Sequence, residues 1–183
     1  MVSLQEAIAQ KYLFKPYSKK FKKIFSSEKK VLKNKLKEIE HEIHHIGSTS
    51  VEGLGGKGII DIIVVVEKKA IKKAKKILKE LGFTYDHTLN GVRSFHYKYY
   101  SDKTGYPRLI HLHLTFNGSG EKEKALAFRN HLKSDKKAKK EYERLKKLAS
   151  KKHSKSGEKY RKFKEKFIIK HLNHALKEKM WEK

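Results

Sequence analysis

Apolar residues recur along this chain at two different spacings, and the switch between them divides it into helices and strands. Phe21, Ile24, Phe25, Val31, Leu32 and Leu36 return every three to four positions with lysines between them. That spacing predicts an amphipathic helix from about residue 18 to residue 36, with Ser18 as its N-cap. A shorter helix is expected over residues 3–14, carried by Leu4, Ile8 and Leu13 and ended by Lys15-Pro16. Residues 40–46 set charged and imidazole positions against Ile39, Ile43 and Ile46, which suits a strand or a helix exit; a strand is expected. Residues 59–66 are apolar throughout except for Asp61, and nearly all are β-branched. Such a run predicts a central strand covered on both faces.

Ile71, Ala74, Ile77, Leu78 and Leu81 lie on one stripe of a helix over residues 70–81, closed by Gly82. Residues 83–85 begin another strand, and residues 92–100 and 109–116 form an antiparallel hairpin across a loop at 101–107. From residue 121 the period is helical to the end. One helix runs to about Leu132. A second carries Tyr142, Leu145 and Leu148 with Ser134 or Asp135 as its cap. After a polar linker at 151–157, a third carries Tyr160, Phe163, Phe167, Ile168, Leu172 and Leu176, of which the aromatic stripe reads as core. The order predicts an α+β fold, a short mixed sheet flanked by helices with a helical C-terminal region. The expected division is an extension at 1–14, an α/β core at 15–120 and helices at 121–183 packed on it.

Charge changes this picture more than length does. The 183 residues carry a net charge of +26, and of the 46 basic residues five are arginine and 41 lysine. Such a charge draws polyanions, nucleic acid above all. Yet specific phosphate and base readout favours the arginine fork, and lysine spread over every helix is what a solvated face looks like. RNA bound through the lysine-rich surface therefore stands as the second partner class, not the first. Cysteine is absent, so disulfides and thiolate metal sites are excluded and any metal must use His, Asp or Glu. No apolar run reaches the roughly 20 residues that cross a bilayer, and residues 1–14 lack a secretory pattern. A cytoplasmic location with no membrane partner is expected.

The candidate chemistry gathers at residues 45–61, where Gly47, Gly53, Gly55, Gly56 and Gly58 alternate with Ser48, Thr49 and Ser50 ahead of the Asp61 strand. Glycine-rich polar loops let backbone N–H groups approach an anion closely. An acid on the following strand can hold a cation beside that anion. His111 and His113 alternate on a late strand and so share a face; if that strand neighbours Asp61, the three meet. Two imidazoles and a carboxylate suit Zn, Mn or Fe better than Mg. His45 beside the loop, His96, Lys57 ahead of the strand and Arg93 at a hairpin strand are further candidates. Arg129 reads either as a phosphate clamp or as a helix-to-sheet salt bridge.

The string His45-Ile46-Gly47-Ser48-Thr49-Ser50-Val51, followed by Gly53-Leu54, Lys57 and Ile60-Asp61, closely resembles the GrpB family of the nucleotidyltransferase fold. Pro16-Tyr17, His111-Leu112-His113, Phe128-Arg129 with Leu132, and the region 160–168 also look like that family's pattern, over roughly residues 15–176. The resemblance implies the fold and a nucleotide site; joined to the reading of the residues, it gives a nucleoside triphosphate held at His45, Gly47, Ser48, Thr49, Lys57 and Arg93, with Asp61, His111 and His113 as the expected metal-binding and catalytic set. It implies a divalent cation, Mg or Mn, with Zn the alternative that the imidazoles admit, and nucleotidyl transfer to an acceptor the sequence does not name. Two departures matter. Glu52 and Gly58 stand where the family commonly has proline, and Ile63 stands where active nucleotidyltransferases present a second acid. A non-catalytic nucleotide- or RNA-binding module is therefore the alternative reading, and a His/Asp metal-dependent hydrolase a third.

Overall fold

The computed structural model describes residues 12–101 and 107–182. Five strands form one mixed sheet in the order β1-β2-β5-β4-β3. They are β1 (His41–Ile46), β2 (Ile60–Val66), β3 (Thr84–Leu89), β4 (Arg93–Ser101) and β5 (Pro107–Phe116). Only β2 and β5 run parallel; the other neighbours are antiparallel. Two helices, α1 (Lys20–Lys35) and α2 (Ile71–Glu80), precede and interrupt the strands, and α3 (Glu121–Ser134), α4 (Lys136–His153) and α5 (Gly157–Lys177) follow them. The fold is α+β with a mixed sheet, as the periodicities predict. No helix among the described residues is long and apolar enough to cross a membrane.

One face of β2 and β5 is uniformly apolar. Ile60, Ile62, Val64 and Val66 of β2 and Ile110, Leu112 and Leu114 of β5 pack there against Leu32 and Leu36 from the α1 end and Ala74 and Leu78 of α2. The opposite face of β2 presents Asp61, then Ile63 and Val65, which pack with Ile46 and Leu126. This two-sided burial is why the run reads as continuous rather than alternating. A third cluster joins Val51 and Leu54 of the glycine-rich loop to Leu132, Ala138, Tyr142 and Phe167 of the C-terminal helices. The loop is thus tethered at its apolar residues while its glycines stay free to carry the turn.

Local signals set the ends of elements. Helix α2 closes in a Schellman motif: Phe83 N–H donates to the Leu78 carbonyl, Gly82 N–H to that of Lys79, and Gly82 takes φ +81°. Asp135 caps α4 by accepting from Ala138 N–H at 2.8 Å, and Ser156 caps α5 by accepting from Lys159 N–H at 3.3 Å. Ser18, the expected N-cap of α1, lies one residue before the observed cap position, Lys19, and accepts from Lys20 N–H at 3.3 Å. The helix expected over 3–14 falls mostly outside the described residues, and 12–14 form a turn and bend instead. The loop expected at 101–107 likewise lies largely outside them. The strand expected to begin at 83–85 starts at Thr84 and runs to Leu89, where Asn90-Gly91, both at positive φ (49° and 69°), turn it directly into β4.

Candidate functional site

The site is built on three neighbouring strands. Asp61 of β2 is the register partner of His111 on β5, and His111 is the partner of Tyr97 on β4. His113 stands one step along the same face, opposite Phe95. Adjacency of β2 and β5, the condition for the two histidines and the acid to meet, is therefore met. His111 Nδ1 lies 3.4 Å and His113 Nε2 4.0 Å from the same oxygen, Asp61 Oδ1. These are ion-pair separations, too long for strong hydrogen bonds. Burial alone would raise the Asp61 carboxyl, but the two imidazoles outweigh it and hold the group well below the usual carboxylate range. Burial also lowers His113, against the pull of Asp61. Its Nδ1 is buried without a partner, as is Arg93 Nε.

Gly47 explains why a glycine must precede the serines. It takes φ +68°, and a Cβ there would lie 2.2 Å from Asp61 Oδ2. Positive φ and the approach of the carboxylate each demand glycine. Ser48, half-buried, follows at the head of a 3-10 turn (Ser48–Ser50), its hydroxyl against Gly56. Gly58 has φ +73°, a conformation closed to proline, so the chain here bends in a way the family's usual proline could not follow. Glu52 points outward and pairs with Lys22 at 2.8 Å, both exposed.

His45 and Thr49 lie elsewhere. Ile46, not His45, is the register partner of Asp61, so His45 faces the opposite side of the sheet, stacked on Phe25 at 4.5 Å. Thr49 Oγ1 donates to the Ile59 carbonyl at 3.0 Å and so must accept from His45 Nε2–H, also at 3.0 Å. Both pin the turn rather than face Asp61. Burial pushes His45 down to about 4, so it is neutral at physiological pH. His96 is also on the far face, against Ser94 Oγ. Arg93 shares the Asp61 face but is engaged at 2.7 Å by Glu121, which also takes Lys124 at 2.8 Å. Arg129 ties α3 to the sheet through the His45 carbonyl at 3.1 Å, a helix-to-sheet link made to a carbonyl rather than to a carboxylate.

Two residues that sequence reasoning missed lie within electrostatic reach of the acid. Lys146 of α4 is 3% exposed, and its ammonium donates to the Gly55 carbonyl. Lys164 of α5 is half-buried, with Nζ 4.4 Å from the centre of the Tyr160 ring. Neither forms an ion pair with a carboxylate among the described residues, though both feel the charge of Asp61. Burial, then each one's nearest lysine, lowers Lys146 to about 7 and Lys164 to about 8. Lys57 joins them, with Nζ 4.9 Å from the Tyr12 ring and 5.6 Å from that of Tyr160. The missed signal was positional. Lys146 falls among Tyr142, Ala149 and Ser150, and Lys164 among Tyr160, Phe167 and Ile168, at spacings reserved for core residues.

The donor set does not fit a pair of metal ions. Ile63, at the second acid's place, is fully buried against Ile46 and Leu126, and one carboxylate remains. Among the described residues no three His, Asp or Glu are placed to hold a metal ion. An open cavity of about 460 Å³, lined by His131, Ser134, Asp135, Lys136, His174 and Met180, contains none of the residues around Asp61.

Comparison with known proteins agrees with the fold. A crystal structure of GrpB from Enterococcus faecalis superposes with a TM-score of 0.77 at 30% identity, covering 91% of this chain and 98% of that one. Glutamate-rich protein GrpB of Alkalihalophilus pseudofirmus is 30% identical over 163 residues, 86% of this chain and 91% of its own length. YqkA of Bacillus subtilis (strain 168) is 33% identical over 132 residues, and the match covers 72% of this chain but only 37% of that protein. The Cid1 poly(U) polymerase, solved with MgGTP bound, shares the fold alone: TM-score 0.52 at 21% identity, over 74% of this chain and 44% of Cid1. The family model for GrpB protein matches residues 13–174, and the chain belongs to the GrpB family.

Proposed function

We propose that this protein binds the phosphates of a nucleoside triphosphate in the cleft between the Gly47-Ser48 turn and the lysines of the C-terminal helices. The observation that carries the reading is the pair Lys146 and Lys164, both buried or half-buried and neither in an ion pair with a carboxylate among the described residues. Burying an ammonium costs several kcal/mol unless an opposite charge compensates it. Asp61, with Glu143 acting on Lys146, only partly offsets the two ammoniums, and a triphosphate supplies the further negative charge. Ser48 and the backbone of the turn contribute neutral donors. Asp61 is the one carboxylate on this face of β2 available to a divalent ion carried in on the triphosphate, and no chemical step is assigned to that ion. Nucleotide-bound solved relatives of the fold, such as Cid1 with MgGTP, lend support by shape.

Binding is favoured over nucleotidyl transfer by Ile63, whose buried apolar side chain occupies the second acid's place. Calorimetric titration with ATP and with inorganic triphosphate tests the reading; micromolar binding that Lys164→Met abolishes is expected. Absence of binding to either compound at low salt sinks it. Incubation with labelled nucleotide and Mg or Mn is expected to give no labelled product, and turnover that Asp61→Asn removes would restore the transferase reading.

A further inference from the structure

Strand β4 carries aromatic side chains at three alternate positions, Phe95, Tyr97 and Tyr99, all on the sheet face that bears Asp61. All three are part-exposed. Tyr97 lies in line with His111 and Asp61 across adjacent strands, about 10 Å from the acid at two strand spacings. Tyr99 stands 5.9 Å from Tyr97, edge to face, on the side of the sheet that leads to Tyr12, Tyr160 and the lysines. At the other end His87 of β3 stacks on Phe95 at 4.5 Å. A soluble sheet face normally exposes polar residues at such positions, or covers the rings with a helix. Here Tyr97 touches no ring but Tyr99 among the described residues.

We infer that this row is a stacking platform for the end of a single-stranded RNA, its bases lying on Tyr97 and Tyr99. Stacking on aromatic rings beside a cationic wall is how unpaired strands are held without sequence readout. The lysines Lys57 and Lys164 lie at the Tyr99 end, where the strand's phosphates run, and the net charge of +26 supplies complementarity to a polyanion. The phenol hydroxyls of Tyr97 and Tyr99 and the His111 ring offer hydrogen bonds to a 2′-hydroxyl, which DNA lacks. A duplex keeps its bases paired and cannot lay them on the row. The inference rests on the reading of the lysine wall as a phosphate site, and adds to it a partner.

The test measures fluorescence anisotropy with labelled oligouridine, its deoxy counterpart and an RNA duplex of equal length, across a salt series. Any polyanion will be drawn to this surface at low salt, so affinity alone decides nothing. Tyr97→Leu keeps an apolar residue in the strand but removes the π-face; it is expected to weaken oligouridine binding about tenfold with an unchanged salt slope. Tyr97→Phe is expected to retain most of the affinity. Thermal melting of each variant separates lost stacking from lost folding. Equal affinity for duplex and single strand, with no effect of Tyr97→Leu, overturns the platform in favour of charge alone. Equal binding of the deoxy strand overturns the assignment to RNA. Triphosphate titration of the same variants keeps the two readings apart: Tyr97→Leu leaves inorganic triphosphate binding unchanged, whereas Lys164→Met removes it whether or not the row binds RNA.

Discussion

The two faces of the sheet use the same strands for opposite ends. Under α1 and α2, β2 and β5 present only aliphatic side chains. On the other face, alternate residues of those strands are Asp61, His111 and His113, with lysines from α4 and α5 within electrostatic reach. One face stabilises the fold; the other draws on that stability to hold an acid, an orphaned ring nitrogen and buried ammoniums in place. Marginal proteins tolerate such a site only when the rest of the core is well packed.

Substitutions should therefore separate the faces. Leu112→Ala, on the fully buried apolar side, is expected to cost about 2–5 kcal/mol in denaturant unfolding while the folded fraction keeps its triphosphate affinity. Lost affinity without lost stability would show that the division between the faces is wrong. Gly47→Ala comes next, at about 2 kcal/mol, since it forces positive φ on a side chain that also displaces the Asp61 carboxylate. It should damage stability and binding together, because Gly47 belongs to both faces' needs. Lys164→Met is the inverse case: triphosphate affinity falls by about 100-fold or more, beyond calorimetric detection, while the melting temperature holds or rises.

Titration sharpens the contrast. Lys146 and Lys164 have folded values near 7 and 8, below the ordinary lysine value of 10.5. Between those values the unfolded chain binds more protons than the folded one, so stability rises with pH from about 7 towards 10. Triphosphate affinity moves the other way over the same range, since neutral lysines attract no anion. Melting and calorimetry at pH 6.5 and 9 measure both; parallel trends would count against the lysine wall. The smallest effect is expected outside both faces, at the pair His131 and His171, whose ring nitrogens are 2.8 Å apart. Burial is the main cause that lowers both. The unfolded chain then takes up more protons below about pH 6.5, and stability should fall as pH drops through that point, by less in His131→Gln.

Much of the fold was legible because its elements follow from single-period patterns. The β2 run, the Gly82 stop and the Asp135 cap each act within a few residues, so no distant partner is needed to read them. The Asn90-Gly91 turn was legible too and was passed over, which left the end of β3 undefined. Meeting of Asp61 with His111 and His113 depended on strand order, and order is not local. His45 shows the limit more sharply. Which face it takes is fixed by the pairing of Ile46 with Asp61, and a one-residue change of register would reverse it. Lys146 and Lys164 were hidden by abundance: among 41 lysines, two at core spacing look like noise until burial singles them out.

The contact between Lys146 and the Gly55 carbonyl has a consequence for how the cleft fills. In the empty protein the loop's own oxygen already occupies the ammonium, so an arriving phosphate must compete with the backbone for it. The loop behaves as a tethered, weak inhibitor whose local concentration never changes. On the proposed reading, ligands too feebly charged to displace a carbonyl would be turned away, and selectivity for highly charged phosphates would follow from that rivalry. Once displaced, the Gly55 carbonyl is left seeking another donor, and the glycine-rich segment has reason to shift when the site is filled.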